Sequence, residues 1–290
     1  MFPGQGAQYV GMGKELYINH DIAKKTFNHA NKILGFDLSK LCFDGPTEEL
    51  TKTENAQVAI LVASVAALRV HMLEPSNYIP QVTLGLSLGE YTALVATEAL
   101  NFSDAVRIVR LRGQYMQEAG RNMPGGMVSI MGLGVSDLEK ICQTSGAEIA
   151  NLNCPGQVVI SGNAESIAKC AELAKAKGAK RAISLKVSGA FHSSLMAEAS
   201  HKLAKALEDI LILAPKIPVI SNITGYSQDD PEQIKANLID QVSSTTHWEE
   251  SIKHVTERGV KTFLEIGPGT VLKGLLRRID SELTCENIAA

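Results

Sequence analysis

A serine set between glycines, Gly85-Leu86-Ser87-Leu88-Gly89, is the segment of this sequence best suited to covalent chemistry. A short apolar run, 82–84, precedes it, and helix-forming residues follow. That is the setting of a nucleophile elbow. A sharp strand-to-helix turn lifts the hydroxyl to its tip, and the glycines let strand and helix approach closely. The positive end of the helix dipole then favours an alkoxide and an oxyanion. A plainer reading competes, because Ser87 and Glu90 also fit the S-x-x-E capping box of an ordinary helix start.

A nucleophilic serine needs a base. Of the seven histidines, His192 stands in a loop, Ser188-Gly189-Ala190-Phe191-His192, just after a strand-like stretch. Catalytic groups collect in such loops at strand ends. His71, His201 and His254 fall on helical stretches, where structural or solvated roles are expected, and no aspartate presents itself as a third partner. A third residue draws notice on the amphipathic stretch 101–116, where Ser103 is expected as the N-cap. Arg112 lies in line with Ala105, Val109 and Met116, which puts a guanidinium on the core-facing stripe. An unpaired buried charge costs several kcal/mol, so an internal ion pair, a stem that snorkels its charge to water, or a bound carboxylate is expected there. Arginine suits a carboxylate because its planar fork donates two parallel hydrogen bonds.

The elements around these residues read as two units. Residues 127–133, 148–152, 157–161 and 181–187 are strand-like, and 136–144 and 164–177 helical, giving the βαββαβ order of a ferredoxin-like plan. Pro124-Gly125-Gly126 is expected as the hinge leading into it. Outside it the pattern alternates: a helix buried on most faces at 55–73, helices at 195–213, 248–257 and 271–279, and strands at 216–221 and 261–266. The fold class is therefore α/β. A hydrolase-like parallel core is expected from 1–124 and 188–290, with a ferredoxin-like α+β subdomain inserted at 125–187. Phe2-Pro3 leads straight into Gly4-Gln5-Gly6, so a leader or a few strand residues are expected to precede the chain.

Composition narrows the function classes. The chain has 290 residues with 28 Lys plus Arg against 31 Asp plus Glu, a net charge of −3. Such a balance argues against nucleic-acid binding. No apolar run is long enough to span a membrane. Five cysteines with no CxxC pair suit neither zinc nor a disulfide framework and point to free thiols in a reducing compartment.

Five motifs occur in order: Phe2-Pro3-Gly4-Gln5-Gly6-Ala7-Gln8, Gly85-Leu86-Ser87-Leu88-Gly89-Glu90-Tyr91, Leu111-Arg112-Gly113, Gly189-Ala190-Phe191-His192 and Glu265-Ile266-Gly267-Pro268-Gly269. Together they resemble the malonyl-CoA:acyl carrier protein transacylases of fatty-acid and polyketide synthesis, from Phe2 to about Ile279. The resemblance implies Ser87 as nucleophile, His192 as general base and Arg112 as the clamp on the malonyl carboxylate. It implies an oxyanion hole from the N–H groups of Gln5 and Leu88. The bulky Phe191 matches the malonyl-selective version of its loop. Leu86 stands where many relatives carry His. His247 stands before Trp248 where Gln is expected, and its backbone carbonyl is expected to orient the base. The implied reaction is ping-pong transfer from malonyl-CoA to the phosphopantetheine thiol of acyl carrier protein, with neither metal nor other cofactor. An acyl-thioester hydrolase, a loading acyltransferase of a polyketide pathway and a non-catalytic carrier-binding relative are the alternatives. A monomer in the cytoplasm, or in the plastid stroma if a leader has been removed, is the default expectation. Lys273, Arg277 and Arg278 are candidates for docking an acidic carrier.

Overall fold

The computed structural model describes residues 1–73 and 79–290. Helices α1 (Lys14–Asn19), α2 (Asp21–Leu34) and α4 (Thr47–Thr51) pack against α5 (Thr53–His71), and α3 (Leu38–Asp44) packs on α1, α2 and α4. Residues 58–67 of α5 are all 1 % exposed or less, as the all-round apolar pattern predicts. No helix among the described residues is long and apolar enough to cross a membrane. After the serine turn come α6 (Gly89–Ala96) and α7 (Phe102–Asn122), and α7 packs along α5. Asn101, not Ser103, caps α7: its Oδ1 accepts from Asp104 N at 2.9 Å. Starting there brings both Phe102 and Ala105 into the core.

Strands β1 (Gly125–Met131), β2 (Glu148–Cys154), β3 (Gln157–Asn163) and β4 (Arg181–Ser184) form one antiparallel sheet in the order β2-β3-β1-β4. Helices α8 (Val135–Ser145) and α9 (Ala164–Ala176) pack on it over a core of its own that includes Val128, Ile130, Leu138, Ile160 and Cys170. The expected hinge is shorter than read, because Gly125 and Gly126 already pair with Asn163 and Gly162 in β1.

The remaining elements are α10 (Ala197–Glu208), β5 (Val219–Ile220), β6 (Ser227–Gln228), α11 (Pro231–Asp240), α12 (Trp248–Thr256), β7 (Thr262–Gly267), α13 (Val271–Ile279) and β8 (Thr284–Ala289). The single helix expected over 195–213 is a 3-10 turn at Ser194–Met196 followed by α10. Beyond Glu208 the chain is drawn onto the loop after α6, with Leu213 N donating to Ala99 O and Lys216 N to Thr97 O. Pro215 also disfavours helix at the residue before it.

A parallel ladder carries the serine turn. β8 pairs with β7. On the other side of β7, Ile266 N donates to Met1 O and the Met1 amine to Leu264 O. Phe2 N then donates to Leu84 O, and Leu86 N to Phe2 O. Thr83 bridges onward to Val219 in β5. The expected strands at 82–84 and 216–221 are thus reduced to a bridging segment and the two residues of β5. The β2 edge of the small sheet is covered by the loop before α12: Thr246 N donates to Ala150 O and Leu152 N to Thr246 O.

Candidate active site

Ser87 sits where the ladder turns into α6, with a φ of 51°. A left-handed backbone at a residue other than glycine is strained and needs outside support. Two features supply it. Gly85 and Gly89 touch so closely that a Cβ on Gly85 would lie 2.0 Å from the Gly89 carbonyl carbon and oxygen, and one on Gly89 would lie 2.2 Å from Phe2 O. Asn222, in the turn after β5, spans the elbow: its Nδ2 donates to Gly85 O at 2.7 Å, and its Oδ1 accepts from Ser87 N at 2.6 Å. The capping-box reading does not hold, since α6 has no side-chain cap and the Glu90 carboxylate turns to Asn222, Gln228 and Gln241 instead.

His192 also has a positive φ, 57°, and is 5 % exposed. Its Nε2 lies 2.9 Å from Ser87 Oγ. Its Nδ1 lies 2.7 Å from the backbone oxygen of Gln241, an acceptor, which fixes the proton on Nδ1 and leaves Nε2 free to accept from the serine. Burial first, and the Arg112 guanidinium second, push the His192 pKa down to about 4, so the ring is neutral at physiological pH.

The expectation that the His247 carbonyl orients this ring is corrected here. That carbonyl accepts from Ser251 N and Oγ in the first turn of α12, and His247 N donates to Asn222 O. The His247 ring lies 3.5 Å from the Glu250 carboxylate. Gln241, just past the end of α11, brings the orienting carbonyl because the loop after it is fastened to β2.

Arg112 is 1 % exposed on the inner stripe of α7. Its Nη1 donates to Gln57 Oε1 at 2.6 Å, and its Nη2 to Ser87 Oγ at 3.0 Å and to Gln241 Oε1 at 2.9 Å. The guanidinium carbon lies 5.6 Å from the centroid of the Tyr91 ring. Among the described residues it has no ion pair, and its Nε has no acceptor. Among the described residues no acid lies within ion-pair distance of Arg112, Glu90 being separated from it by the Gln241 amide, and burial lowers the Arg112 pKa.

The remaining expected residues fall around this group. Gly4 lies against the Leu86 carbonyl, which brings Gln5 beside the elbow. Leu88 is fully buried at the start of α6. Among the described residues neither the Gln5 nor the Leu88 backbone N–H donates to another group. Phe191 is buried, with its ring beside Gly189. Lys273, Arg277 and Arg278 are exposed on α13, and Arg278 donates to Gln157 of β3. Among the described residues, no group of three His, Cys, Asp or Glu side chains is placed to hold a metal ion.

The model of the acyl transferase domain matches residues 1–286. The chain belongs to this family. It is an acyltransferase, and the resemblance read from its motifs is borne out. A protein of Bacillus subtilis named malonyl CoA-acyl carrier protein transacylase is 46 % identical over 288 residues, covering 98 % of this chain and 90 % of that one. The crystal structure of an acyl-carrier-protein-S-malonyltransferase from Bartonella henselae superposes with a TM-score of 0.96 at 39 % identity, covering 100 % of this chain and 94 % of that one. A malonyl-transacylase solved with a type II polyketide synthase acyl-carrier protein gives a TM-score of 0.95 at 40 % identity, covering 99 % and 94 %. Within this acyltransferase, sequence reasoning missed Gln241, Asn222 and Gln57. Their amides pair with backbone or with Arg112 across more than fifty positions, and no local spacing announces them.

Proposed function

We propose that this acyltransferase moves a malonyl group from malonyl-CoA to the phosphopantetheine thiol of acyl carrier protein, through an ester on Ser87. The observation that carries the reading is Arg112: buried, without an ion pair among the described residues, and hydrogen-bonded to Ser87 Oγ. A substrate carboxylate completes that arrangement; an acyl-thioester hydrolase has no use for it. The order of the small sheet and its two helices supports the ferredoxin-like subdomain at 125–187. The parallel ladder around the serine turn supports a hydrolase-like core from 1–124 and 188–290.

In this reading the malonyl carboxylate takes both forks of Arg112. His192 Nε2 accepts the Ser87 proton as Oγ attacks the thioester carbonyl. The N–H groups of Gln5 and Leu88 hold the oxyanion, often the largest catalytic contribution. Collapse breaks the C–S bond, and His192 returns its proton to the departing CoA sulfur. The carrier thiol then gives its proton to His192 and attacks the ester, and Ser87 leaves with that proton. The exposed cationic side chains on α13, Lys273, Arg277 and Arg278, suit an acidic carrier. A carrier of polyketide synthesis is the second reading, favoured by the polyketide-synthase complex of the 40 %-identical relative.

The test is incubation with radiolabelled malonyl-CoA, with and without carrier protein. Label that stays on Ser87 and then moves to the carrier is expected. Release as free malonate makes the protein a hydrolase, and no label at all makes it a carrier-binding relative.

A further inference from the structure

Glu90, in the first turn of α6, is 1 % exposed, and no step above uses it. Its carboxylate meets donors only. Oε1 accepts from Gln228 Nε2 at 2.6 Å; Oε2 accepts from Asn222 N at 3.0 Å and from Gln241 Nε2 at 2.6 Å. Burial pushes its pKa up to about 7, against the pull of these three donors and of Arg112. The ionised form is the one that leaves no neighbour unpaired, because a carboxyl proton has only other donors to face.

Two of the three donors belong to the residues that hold the reacting pair. Asn222 bridges Gly85 O and Ser87 N across the elbow. Gln241 presents its carbonyl to His192, and its amide also reaches Ser87 O at 3.2 Å and Arg112 at 2.9 Å. Ser87 and His192 both carry left-handed backbones, so each depends on neighbours to stay in place.

We propose that Glu90 is the positioning residue of this site: one buried carboxylate fixes Asn222 and Gln241 together, and through them holds Ser87 and His192 at reacting distance. It touches neither the acyl group nor the reacting atoms. The inference rests on reading Ser87 and His192 as nucleophile and base, not on the identity of the acyl group.

The experiment compares wild type, Glu90→Met and Glu90→Gln by rapid-mixing acylation with malonyl-CoA. It records burst amplitude, rate constant and KM, and in parallel the rate of Ser87 labelling by a fluorophosphonate. Methionine keeps the bulk and removes every acceptor. Glutamine keeps one oxygen for Asn222 and Gln241 and gives up only the contact with Gln228, whose Oε1 is held by Asn237 Nδ2. A misplacement of about 1 Å costs on the order of 10²-fold. Glu90→Met is therefore expected to lower the rate constant about 100-fold at full burst amplitude, with KM within about threefold and the fluorophosphonate rate falling in parallel. Glu90→Gln is expected to recover at least a tenfold part of that loss.

A rate constant for Glu90→Met within threefold of wild type overturns the proposal. So does a loss confined to burst amplitude, which marks a merely structural role, or a Gln variant no faster than the Met variant. If Glu90→Met does not fold, Gln241→Met decides by its negative outcome, since it cuts the link to Glu90 together with the amide's contacts to Ser87 O and Arg112 and leaves the carboxylate and the backbone carbonyl at 241 in place. Its fluorophosphonate rate is expected to drop tenfold or more, and an unchanged rate overturns the proposal. The fluorophosphonate arm reads the pair even if malonyl-CoA proves not to be the substrate, so failure here is distinct from failure of the malonyl reading.

Discussion

In the proposed reaction His192 serves as a base over a wider pH range than a free imidazole. Its pKa is pushed down to about 4, by burial before Arg112, so the neutral, proton-accepting form persists well below 6.5. The His192 limb of kcat/KM for malonyl-CoA is expected near pH 4, below a separate step near 7 that belongs to Glu90 and is lost in Glu90→Gln; steady-state pH profiles of the two proteins check this. A bound malonyl carboxylate neutralises Arg112 and removes the second of the two causes. The acid limb of kcat should then lie above that of kcat/KM for malonyl-CoA, and acetyl-CoA should show no such separation. The same shift bears on stability. Between 6.5 and about 4 the unfolded chain binds a proton that the folded chain refuses, so this group weakens the fold as pH falls through that window. Arg112 gives a second prediction. Truncating one side of a desolvated charged pair costs about 2–5 kcal/mol, so Arg112→Ala should lower malonyl kcat/KM by about 30-fold or more. Acetyl transfer, which has no carboxylate to lose, should hold or rise. A parallel fall in both, with a lowered melting temperature, would instead make Arg112 a structural residue.

The elements decide which atoms reach the site. Because the carbonyl on His192 belongs to Gln241 and the His247 ring turns to Glu250, His247→Gln should leave transfer within about threefold, while His192→Ala should cost about 10²–10⁴-fold. Steady-state kinetics of the two variants separates these outcomes. The contrast shows what could be read from sequence. The elbow was legible because its glycines and serine are local. Arg112 was legible because a helix repeats every 3.6 residues, and its line with Ala105, Val109 and Met116 is the buried stripe of α7. The order of β1–β4 with α8 and α9 was legible because short strand-like runs and 3.6-period helical stretches alternate along 125–187. The orienting carbonyl was not, since every residue has one and only the fastening of the 242–247 loop to β2 selects Gln241. Glu90 was misread as a cap partner because S-x-x-E is satisfied locally, while its true partners lie more than 130 positions away. The parallel ladder was only partly legible, because its inner segments are one or two paired residues long and leave almost no periodicity to detect.

At the scale of the whole molecule, the Ser87–His192 hydrogen bond joins residues 105 positions apart, and the imidazole is held from a loop tied to the small sheet. The site therefore exists only when both parts of the chain are folded together. The same holds with more force for α5, whose residues 58–67 have no face turned to water and whose neighbours include β7 and β8 from the far end of the sequence. During translation this helix leaves the ribosome long before Thr262 is made. At about 5–20 residues per second, it spends on the order of ten seconds or more with Val58, Leu61 and Val65 lacking their final cover. Protein synthesis, rather than catalysis, is then the stage at which this helix is exposed to risk. Arrested nascent chains that stop short of residue 260 should be retained by ribosome-bound or ATP-dependent chaperones and precipitate on release, whereas chains carried through β8 should not; soluble, chaperone-free release of the shorter chains would contradict this. A helix that needs no aqueous face in the finished enzyme is thereby expected to lean on the cell's folding machinery while the rest of the chain is made.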